Sequence, residues 1–281
     1  MQPFRSALYI PGSNPRAMDK AQGLPCDAIL FDLEDAVAPE EKVAARATLA
    51  EGLAAGGYGR RVTIVRINGL GTDWGPDDAA AVASMACDGV LLPKVDGPGD
   101  VDALADRVLG KAIWVMIETA RGVLNAAAIA GHDRVAGLVI GTNDLARELG
   151  TRVTPDRAPL WGALQGCVLA ARAAGVVVLD GVYNAFRDDD GLRRECVQGR
   201  DFGMDGKTLI HPAQLGPANE IFGPSPDEID LARRQIAAFE AAEARGEGVA
   251  VLDGGIVENL HVATARATLG KAAAIRELES A

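Results

Sequence analysis

Short apolar runs rich in branched residues recur along the chain, and most stop at a polar or charged side chain. Ala28-Ile29-Leu30-Phe31 runs into Asp32, Val62-Thr63-Ile64-Val65 into Arg66, and Ile113-Trp114-Val115-Met116-Ile117 into Glu118. Continuous runs of this kind read as strands buried on both faces. Ala7 to Ile10, Val90 to Leu92 before Pro93-Lys94, and Gly137 to Ile140 before Asn143-Asp144 follow the same pattern. So do Val176 to Leu179 before Asp180 and Gly206 to Ile210 before His211. The sum is roughly eight candidate strands, the number a closed barrel needs. Most intervals between them carry an amphipathic helical stretch, Leu160 to Ala174 for example, and this alternation predicts a parallel sheet wrapped by helices. A doubly wound open sheet is the alternative. It would concentrate its chemistry at one switch point, whereas polar groups here end nearly every strand, which favours a closed (β/α)8 barrel. A charge at the C-terminal end of a buried strand must sit where water or a ligand can reach it, so that edge is the expected active site.

Past His211 the pattern changes. Gly223-Pro224-Ser225-Pro226 breaks it, and Ser225 or Asp227 can cap a helix from about Pro226 to Arg245. Val249 to Val257, with Asp253-Gly254 inside it, reads as a hairpin before a last helix. The expected organisation is a catalytic barrel over residues 1–222 and an extension over 223–281 that contacts a neighbouring subunit. An apolar hairpin and helix with no place in a barrel wall call for a partner, so a homo-oligomer, trimer or hexamer, is expected.

Apolar residues make up 48% of the 281, charged residues 24% and aromatic residues 4%, the composition of an ordinary globular protein with a large core. The formal net charge of -11 argues against a nucleic-acid or anionic membrane partner, and any polyanion would need a local basic patch. No apolar run approaches the roughly 20 residues that span a bilayer, and a cytoplasmic protein is expected. Cys26, Cys87, Cys167 and Cys196 are scattered without metal-ligand spacing and read as buried reduced thiols.

Glu118 and Asp144 follow consecutive predicted strands, so their carboxylates would lie side by side facing a ligand. Few hard oxygen donors suit Mg²⁺, which keeps waters and takes substrate oxygens for its remaining coordination. Each acid taken alone could equally be a solvated loop carboxylate. Arg66 could hold a substrate carboxylate or polarise a carbonyl, or form a structural ion pair with Glu34 or Asp35. Phe31-Asp32-Leu33-Glu34-Asp35 is too acidic to be only a core strand, and Asp32, Glu34 and Asp35 are expected to pair with Arg66 and hold waters on the metal. Gly69-Leu70-Gly71 lacks the context of a dinucleotide loop and reads as a turn. His211 before Pro212 could bind substrate or simply make a structural hydrogen bond. No serine lies in a G-x-S-x-G context.

Several of these segments, in this order, resemble the motif set of the citrate lyase β-subunit-like CoA-ester lyases of the HpcH/HpaI aldolase superfamily. They are Arg5 to Asn14, Asp32 to Val37, Arg66 to Gly69, Pro93-Lys94, Glu118 to Ala120 and Gly206 to Pro212. Within that family Gly141 to Leu145, Asp180 to Asn184 and Val257 to His261 are most similar to the (3S)-malyl-CoA thioesterase branch, beside the malyl-CoA lyases.

The resemblance implies a TIM barrel with Mg²⁺ held by Glu118 and Asp144, and with Arg66 on the acyl end of a CoA thioester. It implies that Tyr9 and Lys20 contact CoA and that Ile210, His211 and Pro212 line the pocket. Related lyases carry a catalytic aspartate in the C-terminal hairpin that reaches a neighbouring subunit's site. Glu258 stands at the matching place, with one extra methylene. The implied activity is Mg²⁺-dependent hydrolysis of (S)-malyl-CoA or a related 3-hydroxyacyl-CoA to malate and CoA. Retro-Claisen cleavage to glyoxylate and an acyl-CoA is the alternative, and a citrate lyase β-type subunit acting on a carrier-protein thioester is another.

Overall fold

The computed structural model describes residues 2–280, so the outer limits of the expected ranges, Met1 and Ala281, lie outside the described residues. Eight parallel strands form a closed barrel: β1 (Ser6–Pro11), β2 (Ala28–Asp32), β3 (Val62–Arg66), β4 (Gly89–Leu92), β5 (Ala112–Ile117), β6 (Val135–Ile140), β7 (Val177–Asp180) and β8 (Gly206–Leu209). They pair in chain order, and Ser6 to Leu8 of β1 close the ring against Lys207 to Leu209 of β8. The helices between them are α1 (Pro15–Ala21), α2 (Lys42–Ala55), α3 (Gly75–Ser84), α4 (Pro98–Ala105), α5 (Ala120–Leu124), α6 (Ala126–Ala130), α7 (Thr142–Leu149), α8 (Trp161–Ala174) and α9 (Asp189–Phe202), with α10 (Leu215–Phe222) after β8. The barrel expected from the apolar runs is present.

Side chains alternate along a strand, so each strand of a barrel has one inward set. Ala7, Leu30, Ile64, Leu91, Trp114, Val139 and Leu179 are members of one buried cluster. Two residues further along, the same direction carries Tyr9 on β1, Asp32 on β2, Arg66 on β3 and Met116 on β5, and then Glu118 just past β5. The inward row thus turns from hydrocarbon to charge over one repeat. Within the apolar layer Trp114 packs on Phe4, their ring centroids 5.1 Å apart. Its indole occupies space that a Cβ at Gly137 would need, so β6 places a glycine beside the largest side chain of β5.

By contact density the chain forms two compact units: Phe4–Asn219, which holds the barrel, and Glu220 onward together with the residues up to Pro3. The second unit contains α11 (Pro226–Glu243), strands β9 (Ala250–Leu252) and β10 (Gly255–Val257), and α12 (Asn259–Glu279). Ser225 caps α11, its Oγ accepting from Glu228 N–H at 3.2 Å while Glu228 Oε2 accepts from Ser225 N–H at 2.7 Å. Asp253 and Gly254 turn the antiparallel hairpin with φ of 51° and 80°, the conformation that makes Asp-Gly a hairpin turn. Its core is Phe239, Ala242, Ala250, Val257 and Val262. Val251 and Ile256 face each other across the hairpin and are exposed.

Cys26, Cys167 and Cys196 are buried free thiols, as expected, whereas Cys87 is only half-buried. Gly69 is a turn residue, its carbonyl accepting from Thr72 N–H at 2.9 Å. Among the described residues no helix is long and apolar enough to cross a membrane.

Candidate active site

A cavity of about 290 Å³ opens at the C-terminal ends of the strands, lined by Tyr9, Asp32, Arg66, Glu118, Asp144 and Ile210 among others. With Asp35, which also lines it, the cavity brings together seven residues expected at the site. Asn143 lines it too.

Arg66 is buried and anchored by acids. Its Nε donates to Asp32 Oδ1 at 2.7 Å and its Nη2 to Asp32 Oδ2 at 2.5 Å, a two-pronged pair between adjacent strands in register. Nη1 lies 3.0 Å from Glu34 Oε2 and 3.4 Å from Asp35 Oδ2. The ion pairs expected with Glu34 and Asp35 exist, and Asp32 makes the stronger one. Burial works against the guanidinium charge, but these carboxylates hold Arg66 protonated. Tyr9 stacks beneath it, the guanidinium carbon 4.8 Å from the ring centre. The Tyr9 hydroxyl is buried without a hydrogen-bond partner among the described residues, and burial raises its pKa.

Lys94 ties two of the acids together. It adopts a left-handed conformation with φ of 53°, which points its N–H at Glu118 Oε1, 2.8 Å away, while its Nζ donates to Glu34 Oε1 at 2.6 Å. Gly141 allows Glu118 its place, because a Cβ there would overlap the carboxylate. Burial, then the neighbouring Glu34 charge, push the Glu118 carboxyl up to about 7, and Asp144 adds to the repulsion. Asp144 lies in the first turn of α7 and pairs with the exposed Arg147 at 2.5 Å.

The donor set fits a hard divalent cation. The carboxylates of Glu118 and Asp144 face one cavity, Glu118 raised in pKa by burial and then by its acidic neighbours, and a bound cation would relieve that repulsion. Among the described residues no group of three or more histidines, cysteines and acids is placed to hold a metal, so an ion here would keep water and ligand oxygens, as Mg²⁺ does.

The remaining expected residues lie elsewhere. Lys20 is exposed in the last turn of α1 and does not line the cavity. His211 starts the turn at Pro212, its Nδ1 accepting from Ala213 N–H at 3.1 Å, and it stacks on Phe186 at 4.6 Å. Both His211 and Pro212 are outside the cavity lining. Glu258 is exposed at the start of α12, its N–H donating to His261 Nδ1 at 3.2 Å.

Asp180 corrects the expectation that a charged strand end meets solvent or ligand. It is completely buried, accepting from Arg157 Nη1 at 2.7 Å and from the equally buried Lys207 Nζ at 3.0 Å, which also reaches Glu195 Oε1 at 2.6 Å. Opposite charges, not water, compensate it. The part Lys94 plays has no signal in the sequence, because nothing in Pro93-Lys94 marks a left-handed backbone at a lysine.

Known proteins place the chain. The HpcH/HpaI aldolase/citrate lyase family pattern matches residues 5–212. The chain is 62% identical over 273 residues to a (3S)-malyl-CoA thioesterase of Cereibacter sphaeroides, covering 97% of this chain and 96% of that protein. It is 34% identical to the L-malyl-CoA/beta-methylmalyl-CoA lyase of that organism, covering 92% and 91% of the two chains. Protein CitE from Mycobacterium tuberculosis, crystallised with magnesium, acetoacetate and coenzyme A, superposes with a TM-score of 0.81 at 30% identity, covering 95% of this chain and 97% of that one. With the motif segments, the barrel and the family pattern in agreement, the chain belongs to the HpcH/HpaI aldolase/citrate lyase family.

Proposed function

We propose that this protein is an Mg²⁺-dependent enzyme that hydrolyses (S)-malyl-CoA to malate and CoA. The observation that carries the reading is the meeting of Glu118, Asp144 and Arg66 in one cavity of a chain 62% identical to a (3S)-malyl-CoA thioesterase. Glu118 and Asp144 hold the ion. When bound, Mg²⁺ supplies Lewis acidity at the hydroxy-acid end of the substrate.

The protein's own groups do the rest. Asp32 and Glu34 fix the Arg66 guanidinium before a ligand arrives, so it can stabilise negative charge on a substrate oxygen without reorganising. Tyr9, whose ring lies against Arg66, lines the same cavity and, with Ile210, borders the path of the thioester arm. His211 and Pro212 flank that arm further out, and Lys20 meets the CoA phosphates. Hydrolysis adds water to the thioester carbonyl and breaks the C–S bond. Glu258 from a neighbouring subunit accepts the water proton, and the thiolate leaves and is protonated as CoA. The subunits therefore associate, with the exposed hairpin face of Val251 and Ile256 contacting a neighbour.

Carbon–carbon cleavage is the second reading, favoured by the 34% identity to a malyl-CoA lyase. A thiol reagent and phenylhydrazine, used together on one reaction, separate the two by reporting free CoA and glyoxylate. Free CoA without glyoxylate, lost on chelation of Mg²⁺, is the expected result; glyoxylate without free CoA rejects hydrolysis.

A further inference from the structure

Beside the metal-side cavity lies a larger one of about 360 Å³, between the loops after α7 and β7 and the first turns of α9. Three arginines line it, Arg152, Arg157 and Arg194, together with the acids Asp188 and Glu195.

The loop after α7 is built around Asp156. Its carbonyl accepts from Trp161 Nε1 at 2.7 Å and from Gln198 Nε2 at 2.6 Å. Its Oδ1 accepts from the Thr154 hydroxyl at 2.6 Å and from Ala158 N–H at 3.1 Å. Arg157, the next residue, is thereby held with φ of 54°, a left-handed conformation that few side chains adopt, and only 6% of it is exposed.

The donors of that buried guanidinium are unequally used. Nε donates to Gln198 Oε1 at 2.7 Å, and Nη1 donates to Asp180 Oδ1 at 2.7 Å and lies 3.4 Å from Glu195 Oε1. Nη2 is buried with no acceptor among the described residues. A charged donor left unmatched in the interior is costly, so Nη2 calls for an oxygen.

The acids of the cavity are already engaged. Asp188 Oδ2 accepts from the Tyr183 hydroxyl at 2.7 Å and Oδ1 from Gly191 N–H at 2.9 Å, while Glu195 Oε1 accepts from Lys207 Nζ at 2.6 Å. Behind the lining, Lys207 also balances Asp180. Arg152 and Arg194 are exposed and make no hydrogen bond or ion pair with any described residue. Three guanidinium groups therefore face two carboxylates, a local cationic excess in a chain of net charge -11.

We propose that this cavity is a second anion site, separate from the metal, that takes the carboxylate or phosphate head of a small acid. Arg152 and Arg194 supply the attracting charge, and Arg157 adds its unmatched donor. The planar fork of a guanidinium suits either head group. Ala146 and Leu160, both buried in the lining, give a short carbon chain an apolar surface. The proposal does not depend on which reaction the metal side performs.

Calorimetry on the Mg²⁺-loaded protein tests it with succinate and inorganic phosphate titrated separately, and the tighter of the two names the head group. The double variant Arg152→Ala/Arg194→Ala should weaken that binding by at least about fivefold, as loss of charge-assisted hydrogen bonds requires. Glu118→Gln, on the metal side, and Lys20→Ala, at the position assigned to the CoA phosphates, should leave it within about twofold. Crystals grown with the tighter anion should place one of its oxygens within hydrogen-bond reach of Arg157 Nη2. Binding of neither anion, a smaller loss in the double variant, a loss in Glu118→Gln or Lys20→Ala, or an anion seated elsewhere overturns the proposal. Glutamine in place of both arginines gives the same comparison if the alanine variant does not accumulate.

Discussion

Lys94 joins a backbone constraint to an ion pair, and the two can be separated by substitution. A left-handed φ costs an ordinary L-residue roughly 1 kcal/mol that glycine does not incur. Lys94→Gly and Lys94→Ala both lose the bond to Glu34 Oε1, so urea denaturation should find the glycine variant more stable by about 1 kcal/mol. Equal stabilities would show that the conformation carries no strain. Glu118→Gln keeps the shape of the side chain and removes its charge. It should weaken Mg²⁺ binding by at least about tenfold in a direct titration, and undiminished affinity would remove Glu118 from the metal. The acids and Arg66 were legible in the sequence because a charge at the end of an apolar run is itself improbable. Which acid Arg66 would choose was not. Asp32 makes the two-pronged pair because β2 and β3 align it with Arg66, and register is not written in either strand alone.

At the scale of elements, β7 and β8 depend on charges enclosed between them and the helices. Burial alone would raise the Asp180 pKa, but the charges of Lys207 and Arg157 outweigh it and hold the carboxyl below its usual value. The folded protein then binds fewer protons here than the unfolded chain as pH falls through the ordinary carboxylate range. Stability present above that range is therefore lost as pH drops toward the folded pKa. Lys207→Met leaves Glu195 without its 2.6 Å partner and should destabilise the protein at pH 7 by about 3 kcal/mol while flattening its acid limb. Denaturation at a series of pH values measures both. The strands themselves were readable as continuous apolar runs because both faces of a barrel strand are covered. Small offsets remain: β6 begins at Val135, not Gly137, and β8 ends at Leu209, not Ile210. The buried cluster was not readable, since Arg157 joins Asp180 from a loop far along the chain.

For the molecule as a whole, a bound cation should report itself as stability. A ligand that binds only the folded state at 100 times its Kd adds about 2.7 kcal/mol. For a chain of this size that corresponds to a rise in Tm of roughly 5–10 °C with Mg²⁺, reversed by chelator and absent in Glu118→Gln. A Tm indifferent to Mg²⁺ in the wild type would count against a metal centre. One end of the barrel also shapes traffic at the other. Phe4 and Trp114 stopper the interior near the start of the strands, with glycine at 137 making room for the indole. Arrivals and departures are consequently turned toward the opposite rim, and a product still lodged there keeps the next molecule waiting outside.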